Sequence, residues 1–229
     1  KKALEFAEKH FGPDHRTAAH SLYVLGLIYL NQGYYAYAEP LVRRALPILE
    51  KTFGPHDCKV AGVLNILAEV YKNQGRYAEA EPLCQRALAI DEETCGDTDN
   101  LDLSTTLNTY AELLRLQGRY AEAEPMYKRA LAIREKVLGA AHPAVAVILT
   151  NLAEQYREQG RYTEAESLHK QALALVEQAL REKAVHPLEV ATFFEHYAVR
   201  VRGIGKLEEA EAMEARAKAI REKKTSASQ

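Results

Sequence analysis

The chain has no tryptophan, three cysteines, eight prolines and 12 glycines in 229 residues. No apolar run approaches the roughly 20 residues needed to cross a bilayer. Cys58, Cys84 and Cys95 are odd in number and lack ligand spacing, which argues against a secreted disulfide framework and predicts a reduced, intracellular, cytoplasmic protein. The opening Lys1-Lys2-Ala3-Leu4-Glu5 has no signal-peptide anatomy, although so abrupt a start fits a truncated chain. With 30 basic against 32 acidic residues there is no charge surplus to attract nucleic acid or an anionic membrane, and neither is expected as partner. No Gly-rich phosphate loop follows a strand, no His-Glu-x-x-His occurs, and spacing pairs no Ser or Cys nucleophile with a histidine. The expectation is no enzyme, no cofactor and no metal site.

What the chain does have is a repeat. Gln-Gly-Arg-Tyr-Ala-Glu-Ala-Glu-Pro stands at Gln74 to Pro82 and again at Gln117 to Pro125, with looser copies at Gln32 to Pro40 and Gln159 to Ser167 and a worn one at Gly205 to Ala212. Its glycines fall at 33, 75, 118, 160 and 205, so the steps are 42, 43, 42 and 45 residues. A period in that range marks a stacked array, because one supersecondary unit cannot bury its apolar face alone.

Each unit follows one plan. A glycine after an apolar residue (Phe11-Gly12, Phe53-Gly54, Cys95-Gly96, Leu138-Gly139) ends a helix, a polar or proline-bearing link follows, and helix A runs to the Gln-Gly turn before helix B. The predicted repeats are 15–53, 57–95, 99–138, 143–183 and 187–223, after a half-repeat helix at 1–11 and before a polar tail at 224–229 expected to be disordered. Residues 1–223 thus read as a single repeat array. The half-repeat lacks its helix A, which would leave Leu4, Ala7 and Phe11 short of cover.

Measured from the turn glycine, the apolar positions agree from copy to copy. Eleven residues before it stand Leu22, Leu64, Leu107 and Leu149; seven before it, Gly26, Ala68, Ala111, Ala153 and Ala198. Two after it come Tyr35, Tyr77, Tyr120 and Tyr162, and five after it Ala38, Ala80, Ala123, Ala165 and Ala210. Small residues at fixed places let the two helices approach closely. This order of Leu, small residue, Gly, Tyr and Ala resembles that of tetratricopeptide repeats, and the 42-residue period with its Glu-Pro, Arg-Ala-Leu and Leu-Gly links is similar to the kinesin-light-chain-like subclass. The resemblance implies an all-α fold, a right-handed α-solenoid of antiparallel helix pairs, with helix A lining a concave surface and recognition of cargo peptides as one use. The last repeat departs from the pattern, with Leu207 for Tyr and Ile204 for Gln, as a capping repeat would.

Helix-A positions outside the core are therefore the candidate site. Ten residues before the turn glycine stand Tyr23, Asn65, Asn108, Thr150 and Glu195, with Asn151 beside Thr150; six before it, Glu69, Glu112 and Glu154; three before it, Lys72, Arg115, Arg157 and Arg202. An Asn side chain offers a donor and an acceptor, which match one peptide unit of an extended chain. The same residues could instead bond neighbouring helices, and the Glu and cation columns read most simply as helix-surface pairs. His10, His15 and His20 do not share a helix face, and Arg43, Arg44, Arg86, Lys128, Arg129 and Lys170 read as a solvated side of helix B. The expected function is a protein-interaction scaffold holding an extended peptide or short helix through Tyr23, Asn65, Lys72, Asn108, Arg115, Asn151, Arg157 and Arg202. The alternatives are a regulatory or sensor module of a larger enzyme or signalling protein, or an array that self-associates through its N-terminal helix.

Overall fold

The computed structural model describes residues 2–95, 100–182, 185–203 and 205–226, and within these it has eleven α-helices and no strand. They are α1 (Lys2–Phe11), α2 (Arg16–Asn31), α3 (Tyr35–Phe53), α4 (Cys58–Asn73), α5 (Tyr77–Cys95), α6 (Leu101–Leu116), α7 (Tyr120–Leu138), α8 (Pro143–Glu158), α9 (Tyr162–Glu182), α10 (Pro187–Gly203) and α11 (Leu207–Ser226). The even-numbered helices from α2 to α10 are the A helices, and α1 with the odd-numbered ones are the B helices. The Cys95-Gly96 link and Ile204 fall outside or at the edge of the described residues.

Starts and stops follow from local chemistry. A side chain caps each A helix, accepting from the backbone N–H two places on: His15 Nδ1 from Thr17 (3.2 Å), Asp57 from Lys59 (2.9 Å), Asn100 from Asp102 (2.7 Å), His142 Nδ1 from Ala144 (3.1 Å) and His186 Nδ1 from Leu188 (3.3 Å). Each A helix then closes on the turn glycine in the left-handed region, for example Gly75 at φ 75°. The Arg76 N–H reaches back to the Tyr71 carbonyl (2.9 Å) and the Gly75 N–H to that of Lys72 (3.0 Å), the paired bonds of a Schellman stop.

The last helix overruns the expected boundary. α11 continues to Ser226, so Lys224 to Ser226 are helical rather than part of a disordered tail; residues 227–229 lie outside the described residues. The reason is compositional: beyond Gly205 the chain is rich in Ala, Glu, Lys and Arg and carries no Gly or Pro to stop it.

The chain divides into two compact units, Lys1–Ala130 and Leu131–Gln229. In the first, α2 packs on α3 and α4 on α5, and successive A helices meet as α2 with α4 and α4 with α6. Leu22, Leu64 and Leu107 are fully buried there, among Ala38, Ala45, Ala80 and Ala87. At Gly26 a Cβ would run into the Val42 side chain, which shows how the small residues set the distance between paired helices. In the second unit Leu149, Ala172, Val176, Phe194, Tyr197, Ala198 and Met213 form the equivalent core of α8 to α11.

Charged residues tie the B helices of successive repeats. Arg44 reaches Glu8 (2.7 Å), Arg86 reaches Glu50 (2.6 Å), Arg129 pairs with Glu92, and in the second unit Arg216 reaches Glu177 (2.8 Å). The cations expected on a solvated side of helix B are exposed or half-buried, and Arg44, Arg86 and Arg129 among them also form a regular rung between repeats.

Candidate peptide-binding surface

In the first unit the A helices present a cleft of about 670 Å³. Tyr23, His20, Thr17 and Arg16 from α2, Leu49 and Phe53 from α3, Cys58, Lys59 and Gly62 from α4, and Asp102 from α6 line it. Gly62 stands beside the Tyr23 ring, where a Cβ would make an ordinary contact, 3.7 Å from the phenol oxygen. Burial and the nearby Asp102 charge push the Tyr23 phenol above its ordinary pKa, so its hydroxyl stays a donor. The Lys59 ammonium lies 4.3 Å from the centre of the Phe53 ring, a cation–π contact at the rim. The cleft therefore combines aromatic and aliphatic side chains with two cations, Arg16 and Lys59, and one carboxylate, Asp102.

The remaining candidates of this unit are mostly engaged within the fold. Asn65 is buried and its Nδ2 donates to Thr106 Oγ1 on α6, while the Thr106 hydroxyl donates to the buried Asp91 Oδ2 of α5 (2.5 Å). Asn65 thus has the geometry of a bond between neighbouring helices. Lys72 is 5% exposed and lies 2.6 Å from Glu112 on the next A helix, closer than to Glu69 on its own (3.8 Å). Burial depresses the ammonium, but Glu112 and Glu69 outweigh it and hold the group above its ordinary pKa. Arg115 is buried as well, and Asn108 is half-buried.

In the second unit Thr150 bonds the carbonyls of Ala146 (2.9 Å) and Val147 (2.8 Å), and Asn151 is buried. Arg157 is half-buried and Arg202 is exposed. The Arg202 guanidinium forms a fork on Glu214 (2.5 and 2.9 Å). Glu154 faces Arg200 of the next A helix at 3.6 Å. The structure therefore brings Tyr23 into an open cleft, while Asn65, Lys72 and Arg202 bond residues of other helices.

Sequence reasoning did not single out Arg16, Lys59, Gly62 and Asp102. Gly62 was the most visible of them, a mid-helix glycine where α2 and α6 carry Cβ atoms. Arg16, Lys59 and Asp102 all stand in the first turn of an A helix, a register that only the stacked arrangement turns into a rim.

Paired antiparallel helices, repeated turn stops and A-to-A stacking define an α-helical repeat scaffold. The tetratricopeptide repeat family profile matches residues 18–57, 59–136 and 102–178, and the chain belongs to that family. BtubC (BKLC) from P. vanneervenii is similar in structure, with TM-score 0.67 and 25% identity over 98% of this chain and 89% of that one. A putative kinesin light chain of nearly identical TPR-like repeats from Podosopora anserina aligns at TM-score 0.56 and 22% identity, over 92% and 98% of the two chains. The apo form of RapI aligns at TM-score 0.66 and 14% identity, over 98% and 91%. A search of curated proteins found no match. In fold and period the repeats are of the kinesin-light-chain-like type, and a repeat array of this family is an interaction scaffold whose partners are proteins or peptides. No helix among the described residues is long and apolar enough to cross a membrane.

Proposed function

We propose that the chain binds an extended peptide segment or short helix of a partner protein along its A helices, without catalysis of its own. The observation that carries this reading is the cleft of about 670 Å³ around Tyr23, of a size to bury one or two side chains. Asn108, Arg157 and Arg202 are the other less buried members of the candidate set, whereas Asn65 and Lys72 bond the next A helix. We also read residues 1–223 as a single array, supported by the same turn hydrogen bonds at Gly33, Gly75, Gly118, Gly160 and Gly205.

The test is affinity capture with the intact chain, peptide mapping of what is retained, and titration of the mapped peptides. Tyr23→Ala and Gly62→Leu, the latter filling the cleft, should each weaken binding at least tenfold with little change in melting temperature. Peptides that bind both variants as well as the parent would end the reading.

A second reading, self-association through the N-terminal helix, is favoured by one observation. Phe6 and Phe11 of α1 are 58% and 52% exposed, and Val24 and Ile28 of α2 are exposed beside them, whereas the equivalent Ile48, Ile66 and Val70 are buried. Leu4 is half-buried and Ala7 is covered, contrary to the sequence expectation for Ala7.

A further inference from the structure

The A-to-B turn is built alike in four of the five repeats and differently in the first. Directly after the turn glycine stand Arg76, Arg119, Arg161 and Lys206, and three residues further on Glu79, Glu122, Glu164 and Glu209. Each cation pairs with its acid, at 2.6, 2.7, 2.5 and 3.0 Å respectively. In two of these repeats the guanidinium also stands over a tyrosine four residues before the glycine: Arg76 is 4.1 Å from the Tyr71 ring centre and Arg161 is 3.6 Å from that of Tyr156. An arginine on a tyrosine, held by a carboxylate, is thus the fold's own filling for this position.

The first repeat keeps the tyrosine, Tyr29, but has Tyr34 in place of the cation and Tyr37 in place of the acid. The three rings form a cluster, with centres 6.3 Å (Tyr29 to Tyr34), 5.7 Å (Tyr29 to Tyr37) and 6.2 Å (Tyr34 to Tyr37) apart. Two contacts are edge-on, and Tyr34 and Tyr37 remain 54% and 64% exposed. In an edge-on pair one ring's edge meets one face of the other, and with Tyr34 and Tyr37 both more than half exposed, aromatic surface whose faces carry the negative part of the quadrupole stays open to solvent. The cluster sits at the opposite end of α2 from the cleft, so it is a separate surface.

We propose that the Tyr29, Tyr34 and Tyr37 cluster is a docking site for an arginine side chain supplied by a partner protein. The incoming guanidinium stacks on an exposed tyrosine face of the cluster, as Arg76 and Arg161 stack on Tyr71 and Tyr156 in their own repeats. Arginine suits the site better than lysine because its planar, weakly hydrated group stacks on aromatic faces. An aliphatic anchor would bury area against the rings but would not use their exposed faces electrostatically.

The experiment uses the intact chain and three peptides of alternating residues: Arg-Gly, Lys-Gly and citrulline-Gly, the last having arginine's shape without its charge. Binding is followed by tyrosine ring-proton shifts at physiological salt. The decisive variant is Tyr34→Arg with Tyr37→Glu, which rebuilds the pair used in the other repeats and fills the site with the chain's own guanidinium. Arg-Gly should shift the tyrosine resonances and bind more tightly than Lys-Gly. Citrulline-Gly should bind about 3- to 30-fold more weakly, the range of one cation–π contact. The double variant should lose the Arg-Gly response while melting no lower than the parent, and Tyr23→Ala should leave the response intact. Equal binding of the citrulline peptide, or an unchanged response in the double variant, would overturn the proposal.

Discussion

An imidazole at the head of a helix can stand in for aspartate when its Nδ1 is free to accept, and His15, His142 and His186 do this where Asp57 and Asn100 do it in the other repeats. His142→Ala should therefore lower stability by about 1 kcal/mol, while His142→Asp should restore it, as read from urea unfolding. Asp91 is the residue whose environment is least comfortable: it is fully buried, and one carboxylate oxygen has no hydrogen-bond partner. Burial raises its pKa, against the opposing bond from Thr106. A carboxyl whose folded pKa lies above the unfolded one, near 4, favours the fold below that value and loses the advantage as pH rises through the folded pKa. Asp91→Asn should consequently raise the urea midpoint at pH 7, and the gain should shrink toward pH 4; an equal gain at both would show that the charge is not the cause. His169 runs the other way. Burial first, then Lys206, holds its imidazole below the ordinary pKa, so stability present above about 6.5 is lost as pH falls through the folded value. His169→Tyr, the residue that repeat three carries at Tyr127, should flatten that acid limb.

At the level of helices, the period, the two-helix plan and nearly every boundary could be read from the glycines and alanines, because both act locally: a positive φ or a close approach leaves the same mark in each copy. What could not be read was which residues meet across repeats. Glu69 and Lys72 look like a pair within one helix, yet stacking turns Lys72 toward Glu112, and no spacing within a helix announces that. The rungs between B helices were hidden for the same reason, although their partners recur at separations of 36 (Glu8 to Arg44, Glu50 to Arg86), 37 (Glu92 to Arg129) and 39 residues (Glu177 to Arg216). The two kinds of pair should differ in strength. Arg86→Ala breaks a pair that solvent reaches and should cost at most about 1 kcal/mol. Glu112→Ala leaves the buried Lys72 ammonium with only Glu69, at 3.8 Å, and should cost about 3 kcal/mol, with Lys72→Met in the same chain recovering most of it. Denaturant unfolding of the three variants distinguishes a rim pair from a buried one.

For the molecule as a whole, the balance of 30 basic and 32 acidic residues gives copies of the chain little mutual repulsion, so exposed apolar surface decides whether they associate. That surface gathers at the start of the first unit, where Phe6 stacks on His10 with ring centres 4.0 Å apart and Phe11 on His15 at 5.1 Å, each ring leaving one side open. Burying two phenylalanines against a second copy would be worth about 4 kcal/mol before the cost of association, enough for weak assembly rather than a permanent oligomer. Sedimentation across a wide concentration range should then show a weight-average mass that rises with concentration. Phe6→Glu with Phe11→Glu should hold it at the single-chain value and leave the melting temperature within a few degrees, since both rings are more than half exposed. A parent chain that stays at the single-chain mass throughout, or a variant that associates as readily, would remove the N-terminal face from consideration and leave the A-helix surface and the tyrosine cluster as the proposed sites for partners.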